Sequence, residues 1–204
     1  MRLDPYQEDA LREVINIGIG RAAATLSELM GTRIELSIPG VAIYEFDDWI
    51  RRGGPGVAGV AVVQDFEGPC SGRAVLVLPR DSGLRMAQIL GGVEDGLDEL
   101  DLELSGILAE VGNIMINAVL GSLANATGAR LSYGLPEFYS EPELAFLSTP
   151  GAEEGVRGLL VADAHFHVRQ FAVRGSLLIA FARDGVEVLV QAICATGSDA
   201  WEVR

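Results

Sequence analysis

An acidic residue and an amide residue occur together, three positions apart, at two places in the chain. Glu13 precedes Asn16, and Glu110 precedes Asn113. A carboxamide has one acceptor oxygen and two N–H donors, so it can hold a water molecule and aim it at a phosphorus centre without being consumed. A carboxylate one helical turn earlier lies on the same face and can pair with a lysine of a partner.

These pairs have no His, Cys or activated Ser beside them and cannot perform hydrolysis alone. They can complete a site that already contains the remaining groups. We therefore expect catalysis by positioning rather than by acid–base chemistry, with the metal and the phosphoryl group supplied by a partner.

Apolar spacing places the first pair on a long helix, predicted over residues 7–30. At about 100° per residue, one face of this helix collects the core-facing residues. They are Leu11, Val14, Ile15, Gly18, Ala22, Leu26 and Leu29. The opposite face carries Asp9, Glu13, Asn16 and Gly20, which we predict to point outward. Gly20 would keep the surface beside Asn16 low enough for another protein to approach.

A second long helix, predicted over residues 99–127, repeats this arrangement. Its inward residues are Leu108, Val111, Gly112, Met115, Val119 and Leu123. Glu110, Asn113 and Asn117 are predicted to face outward. Asn is unfavourable in an exposed helix interior, so its recurrence at equivalent positions indicates a surface selected for contact.

The chain contains an internal repeat. Sliding the sequence by 97 positions aligns residues 9–39 with residues 106–136. Ten pairs are then identical: Leu11/Leu108, Glu13/Glu110, Val14/Val111, Asn16/Asn113, Ile17/Ile114, Ile19/Ile116, Leu26/Leu123, Gly31/Gly128, Arg33/Arg130 and Pro39/Pro136. Later pairs, such as Arg80/Arg183 and Asp81/Asp184, require a shift of 103, which we interpret as one net loop insertion of six residues.

Each repeat has the same predicted order of elements. A long helix ends at a glycine, Gly31 or Gly128, and is followed by a short strand, an irregular stretch, two β-rich runs and a closing helix. The irregular stretches are predicted at 40–56 and 137–156, the β-rich runs at 57–66, 72–79, 157–168 and 171–182, and the closing helices at 81–91 and 184–194. We expect an α/β fold with pseudo-two-fold symmetry, in which two αβ repeats (about 7–92 and 99–196) share one continuous sheet within a single domain, 1–204.

Composition restricts the classes of partner. The net charge is -14 and the pI is about 4.4, which argues against nucleic acid because phosphate backbones require a basic face. No long uninterrupted apolar window or N-terminal signal is present in the sequence, so we expect a cytoplasmic protein without a membrane partner. Cys70 and Cys194 are predicted to be reduced packing residues.

Three other features have weaker functional interpretations. His165 and His167 alternate on a predicted strand and share a face, but no Cys or third His is nearby, so no metal site is expected. Trp49 and Trp201 are predicted to be packing residues. Gly18, Gly20 and Ala23 match a dinucleotide-binding pattern with Glu35 downstream, yet the preceding segment is helical rather than a strand, which argues against that class.

The residues resemble the CheC/CheX/FliY family of chemotaxis phosphatases. Its motif is an Asp or Ser, three residues, Glu, two residues and Asn. Asp9, Glu13 and Asn16 match it in full, whereas in the second copy Glu110 and Asn113 are preceded by Gly106 in place of the Asp or Ser. The duplicated motif in one chain is most similar to CheC, since CheX has one motif and FliY carries a further C-terminal domain that we do not expect here.

The resemblance implies a function. A CheC-type protein hydrolyses the phosphoaspartate of the response regulator CheY. By this resemblance Asn16 and Asn113 orient the attacking water, Glu13 and Glu110 engage the regulator's lysine, and Asp9 and Gly20 support the site. Magnesium would come from the regulator, with no cofactor of the protein's own. The protein would be a monomer, with CheD as a further partner.

One alternative within the same fold is a non-catalytic module, a scaffold that binds CheD or the flagellar switch. Fold alone does not determine activity, and the middle domain of FliM shares the fold as a rotor component. The Glu and Asn retained in both copies favour the enzyme.

Overall fold

The computed structural model describes residues 3–29, 31–52, 59–92, 102–141, 156–168, 171–182 and 185–199. The helices are α1 (Pro5–Leu29), α2 (Phe46–Arg51), α3 (Arg80–Gly91), α4 (Leu102–Thr127) and α5 (Gly185–Asp199). The strands are β1 (Ile34–Ser37), β2 (Val41–Glu45), β3 (Val60–Glu67), β4 (Gly72–Leu78), β5 (Ser132–Tyr133), β6 (Glu137–Tyr139), β7 (Val156–Val168) and β8 (Phe171–Ala182).

All eight strands of this part of the chain belong to one sheet, and their pairings are antiparallel. The main order is β1-β7-β8-β4-β3-β5, with β2 also paired to β7 and β6 to β3. At the centre, Val75 of β4 lies opposite Leu178 of β8. These two positions are equivalent under the shift of 103, so a pseudo-two-fold axis passes between them. The predicted α/β fold, with both halves in one continuous sheet, is confirmed.

The long helices cover one face of the sheet. The main core lies between this face and α1, α3, α4 and α5, and most of its residues are fully buried. A smaller core on the other face surrounds Trp49 of α2, which is completely buried, as its predicted packing role requires. Trp201 lies outside the described residues.

Helix α4 is apolar enough over its 26 residues to cross a membrane by composition alone. Its apolar side chains are instead used inside the protein, where Leu108, Met115 and Val119 are buried in the main core. The helix therefore has the composition of the central helix in a packed protein.

Glycine ends both long helices as predicted. Gly31 has φ 58° and Gly128 has φ 65°, the left-handed region that glycine adopts without a steric penalty. Each amide donates to a carbonyl of the last turn, that of Glu28 or Asn125. The chain then turns back into β1 or β5.

The irregular stretches were only partly predicted. Residues 40–56 contain β2 and α2. Strand β2 (Val41–Glu45) forms because it pairs with β7, and α2 is held by the burial of Trp49 in the smaller core. Residues 137–156 begin with β6, and most of the remainder lies outside the described residues.

The six extra residues do not form the single loop insertion that was expected. Leu78 and Phe181 are equivalent under the shift of 103, and their partners are Val60 and Gly158, which differ by 98. Five of the six extra residues therefore lie in the second hairpin, between Gly158 and its partner Phe181. They lengthen β7 and β8, which have 13 and 12 residues against 8 and 7 in β3 and β4.

Candidate functional site

The first acid–amide pair lies on the exposed surface of α1. Asp9, Glu13, Asn16 and Gly20 are all exposed, as the helical periodicity predicted. Asp9 accepts a hydrogen bond from Arg12 at 2.6 Å, one turn along the helix. Within the described part of the chain, no hydrogen bond or ion pair engages the side chains of Glu13 and Asn16. Both groups are therefore available to a docked protein.

The two glycines near Asn16 have different roles. A Cβ at Gly18 would lie 2.7 Å from the carbonyl oxygen of Ala118 and 2.8 Å from Cα of Val119, so this glycine allows α1 and α4 to cross closely. A Cβ at Gly20 would meet nothing within 4 Å. Since both residues lie inside a continuous helix with no strand before it, the dinucleotide-binding interpretation of this segment is excluded.

The predicted core stripe of α1 needs one correction. Leu11, Ile15, Gly18, Ala22 and Leu26 are buried, but Leu29 is 61% exposed. A helical wheel assumes that a helix is covered along its whole length. The last turn of α1 is not covered by other elements, so Glu28 and Leu29 are both exposed at the end of the helix.

The second pair lies on α4 in a different environment. Glu110 is exposed, but Asn113 is half-buried and its carboxamide is already engaged. The Oδ1 atom of Asn113 accepts a hydrogen bond from Nδ2 of Asn117 at 2.7 Å and a longer one from Nε2 of Gln64 at 3.4 Å. Gln64 also donates to the backbone carbonyl of Gly134 at 2.9 Å.

Gln64 is a site residue that sequence reasoning missed. It lies on β3 and is almost completely buried, at 2% exposure. It reaches Asn113 because α4 packs closely on β3 at Gly112, where an added Cβ would lie 2.4 Å from Cβ of Val62. The available signal was that Gln64 shares its side of the predicted strand with Val60, Val62 and Phe66, because a buried amide among apolar residues needs a partner.

The outward prediction for Asn117 was wrong. Its side chain is half-buried, and its Oδ1 atom is inaccessible and without a hydrogen-bond partner among the described residues. The side chain of Tyr133, on β5, approaches α4 one turn further along, with its hydroxyl 3.9 Å from where a Cβ of Gly121 would stand. Partial burial raises the pKa of Tyr133 above its usual value. A helical wheel drawn for one helix cannot anticipate side chains that reach its polar face from elsewhere in the fold.

Exposed apolar residues accompany both pairs. Ile17, next to Asn16, is 47% exposed, and Leu135, next to the Gly134 carbonyl that binds Gln64, is 87% exposed. Isolated exposed apolar residues are ordinary, but residues beside a polar pair can contribute apolar contact to a docked protein.

The other chemistry-bearing residues lie elsewhere. His165 and His167 share one face of β7, as predicted, and His165 lines a cavity of about 310 Å³ with Asp163 and Arg174 on the sheet face away from α4. No three His, Cys, Asp or Glu side chains within the described ranges are grouped as metal ligands. Cys70 and Cys194 are reduced thiols, as expected, and desolvation raises the pKa of both.

The arrangement defines an α/β protein with a continuous antiparallel sheet and two long helices that carry Glu and Asn three residues apart. No family model matches the chain. The chain is 29% identical to the CheY-P phosphatase CheC of Bacillus subtilis over 135 residues, which cover 64% of this chain and 65% of that protein.

Several solved structures have the same fold as this chain. FliY of Thermotoga maritima matches with a TM-score of 0.72 at 21% identity, covering 96% of this chain and 100% of that one. The middle domain of FliM from H. pylori matches with a TM-score of 0.65 at 10% identity, covering 93% and 99%. CheX in a complex with CheY from Borrelia burgdorferi matches with a TM-score of 0.52 at 19% identity, covering 84% and 99%.

The sequence and fold comparisons agree with each other. The chain is homologous to CheC, and its fold matches FliY, CheX and FliM. The resemblance to the CheC/CheX/FliY family, predicted from the two acid–amide motifs, is confirmed.

Proposed function

We propose that this protein removes the phosphoryl group from the phosphoaspartate of a CheY-type response regulator. Asn16 and Asn113 orient the attacking water, while Glu13 and Glu110 pair with a lysine of the regulator. The observation that carries this proposal is the exposed Glu13–Asn16 pair on a rigid helix, with the same pair repeated on α4.

The chemistry fits the residues available. An amide and a carboxylate one helical turn apart can place a water molecule and a partner side chain relative to each other, and such placement can contribute several orders of magnitude to a rate. The carboxamide is neither protonated nor consumed in this role. Magnesium is bound by the regulator in this proposal, and the protein needs no cofactor of its own.

The comparisons support the proposal at the level of the family. The homologous B. subtilis protein is a CheY-P phosphatase, and a CheX of the same fold forms a complex with CheY. We extend the same resemblance to the remaining expectations: a monomer in the cytoplasm, with CheD as an additional partner.

The proposal is tested by loading a receiver protein with acetyl phosphate and following phosphate release. We expect partial loss with Asn16→Ala or Asn113→Ala, and a loss on the order of 100-fold with the double variant. Ala favours the helix more than Asn does, so the variants should fold, and thermal unfolding provides the control. Undiminished release by the double variant would contradict the catalytic assignment.

A second candidate function is a non-catalytic scaffold that binds CheD or the flagellar switch. The specific observation in its favour is that the middle domain of FliM has the same fold over 93% of the chain. The same assay separates the two functions. A scaffold would leave the regulator's own rate of phosphate loss unchanged at every concentration of the wild-type protein, even where binding is measured.

A further inference from the structure

The carboxamide of Asn113 has a fixed orientation that follows from a chain of hydrogen bonds. The Gly134 carbonyl can only accept, so the atom of Gln64 that lies 2.9 Å from it is the donor Nε2. The same Nε2 lies 3.4 Å from the carboxamide of Asn113, and two donors would not face each other, so the facing atom is Oδ1. Nδ2 of Asn117 then completes the arrangement at 2.7 Å.

This arrangement occupies the acceptor end of Asn113. Its oxygen receives two N–H groups, while no described residue accepts a hydrogen bond from its Nδ2. The amide therefore presents a donor to a visiting molecule and keeps its acceptor engaged.

The equivalent groups are missing from the first pair. The position equivalent to Asn117 is Gly20, and the position equivalent to Gln64, by the registers of the two hairpins, is Ala162. Gly20 has open space around it and Ala162 is buried without any polar side-chain atom. Asn16 is exposed, and within the described ranges its oxygen is not engaged.

Water that attacks phosphorus must direct a lone pair at the phosphorus and donate its protons to acceptors. The oxygen of a carboxamide can accept a hydrogen bond from the water, whereas its nitrogen cannot. An amide whose oxygen already accepts two hydrogen bonds, one for each lone pair, must break one of them before it can orient the water.

We propose that Asn117 is a positioning residue that restrains Asn113, so that the two sites are unequal and the site of Asn16 is the faster one. This inference rests on the proposed phosphatase function and identifies how one of its two sites is regulated from within the fold. Gln64 holds the restraint in place through Gly134.

The test isolates each site and exchanges the residue one turn beyond its amide. In the Asn16→Ala background, where only the α4 site remains, Asn117→Ala and Asn117→Gly should raise kcat for phosphate release about fivefold, the effect of one hydrogen bond of about 1 kcal/mol at 298 K. KM should not change, because Glu110 and the surrounding surface are retained.

The reciprocal exchange is the matched control. In the Asn113→Ala background, Gly20→Asn should lower kcat at the α1 site by a similar factor, because the new amide can bind Oδ1 of Asn16 across the open space at position 20. A fall in kcat with both Asn117 variants would overturn the proposal, because it would show that Asn117 assists Asn113 instead of restraining it. Unchanged kcat in both backgrounds would overturn it as well.

A spectroscopic measurement separates this inference from the function on which it rests. Hydrogen bonding to a carbonyl shifts its ¹³C resonance, so the Asn113 ¹³Cγ signal should move toward that of Asn16 in Asn117→Ala. An unmoved signal would overturn the restraint whatever the activity. A wild-type protein that releases no phosphate but shows the shift would contradict the proposed function and leave the engaged oxygen established.

Discussion

The two long helices carry the same acid–amide pair but contact the rest of the protein differently. Helix α1 has Gly18 where it crosses α4, and the equivalent position in α4 is Met115. Helix α4 has Gly112 where it rests on β3, and the equivalent position in α1 is Ile15. Each helix therefore has its own point of close approach.

This difference separates what the repeat retains from what it changes. The residues expected to contact a partner, Glu and Asn, are identical in both copies. The residues that set the surroundings of the amide differ, with Gly20 and Ala162 in one copy and Asn117 and Gln64 in the other. Similar motifs can thus have different reactivity because the second layer of residues has diverged.

The largest expected effect comes from the close approach of α4 to β3. An added methyl group at Gly112 would overlap the side chain of Val62, with atoms at 2.4, 2.5 and 2.8 Å, so Gly112→Ala should destabilise the protein by about 3 kcal/mol. Gly106→Ala on the same helix meets nothing within 4 Å and should stabilise it by up to about 1 kcal/mol. Urea unfolding of both variants measures this contrast, and equal stability of the two would refute it.

A somewhat smaller effect is expected where α1 crosses α4. Gly18→Ala would place a methyl group 2.7 Å from the backbone of Ala118, and should lower the free energy of unfolding by about 2 kcal/mol. Gly20→Ala, at a position open to solvent, should raise the free energy of unfolding by about 0.5 to 1 kcal/mol. If thermal unfolding gave both variants the same midpoint, the helix crossing would not be as close as described.

The smallest effect concerns the opposite face of the sheet. Arg73 donates two hydrogen bonds to Asp65, at 2.6 and 2.8 Å, and this carboxylate raises the pKa of the guanidinium. The equivalent cross-strand pair in the second half is Asp163 with Ser176, so a serine stands where the first half has the cation of Arg73.

Arg73→Met should therefore lower the free energy of unfolding by about 1 kcal/mol. The partial exposure of Asp65 keeps this loss small, because water screens the ion pair. Arg174→Met, on the same face, should change stability by less than about 0.5 kcal/mol, because no described side chain pairs with Arg174. Chemical unfolding of the two variants compares them directly, and an equal loss in both would show that the Arg73 pair contributes nothing of its own.

Periodicity and repetition predicted most of the fold. Apolar spacing identified α1 and α4, Val- and Ile-rich runs identified the two hairpins, and the shift between repeats indicated a shared sheet. The sequence did not reveal β2 and α2, since a strand of five residues and a helix of six have little periodicity and depend on pairing with β7 and on the burial of Trp49.

The candidate site was predictable only as far as local geometry determines it. One helix fixes the relation of Glu13 to Asn16, and both were correctly predicted to be exposed. The surroundings of Asn113 depend on Gln64, which is 49 residues distant in the sequence, and on the Gly134 carbonyl to which Gln64 donates. Such contacts are long-range in sequence, and no periodic pattern within α4 encodes them.

The pairing of β4 with β8 places the boundary between the halves inside the sheet. A single half would leave β4 with unpaired N–H and C=O groups along one edge, and a two-fold antiparallel seam is self-complementary, so two copies of one half could close the same sheet. In such a homodimer every substitution appears twice, and both amides must have identical neighbours. Covalent linkage of the halves removes that constraint, so the neighbours of one amide can change while those of the other are retained.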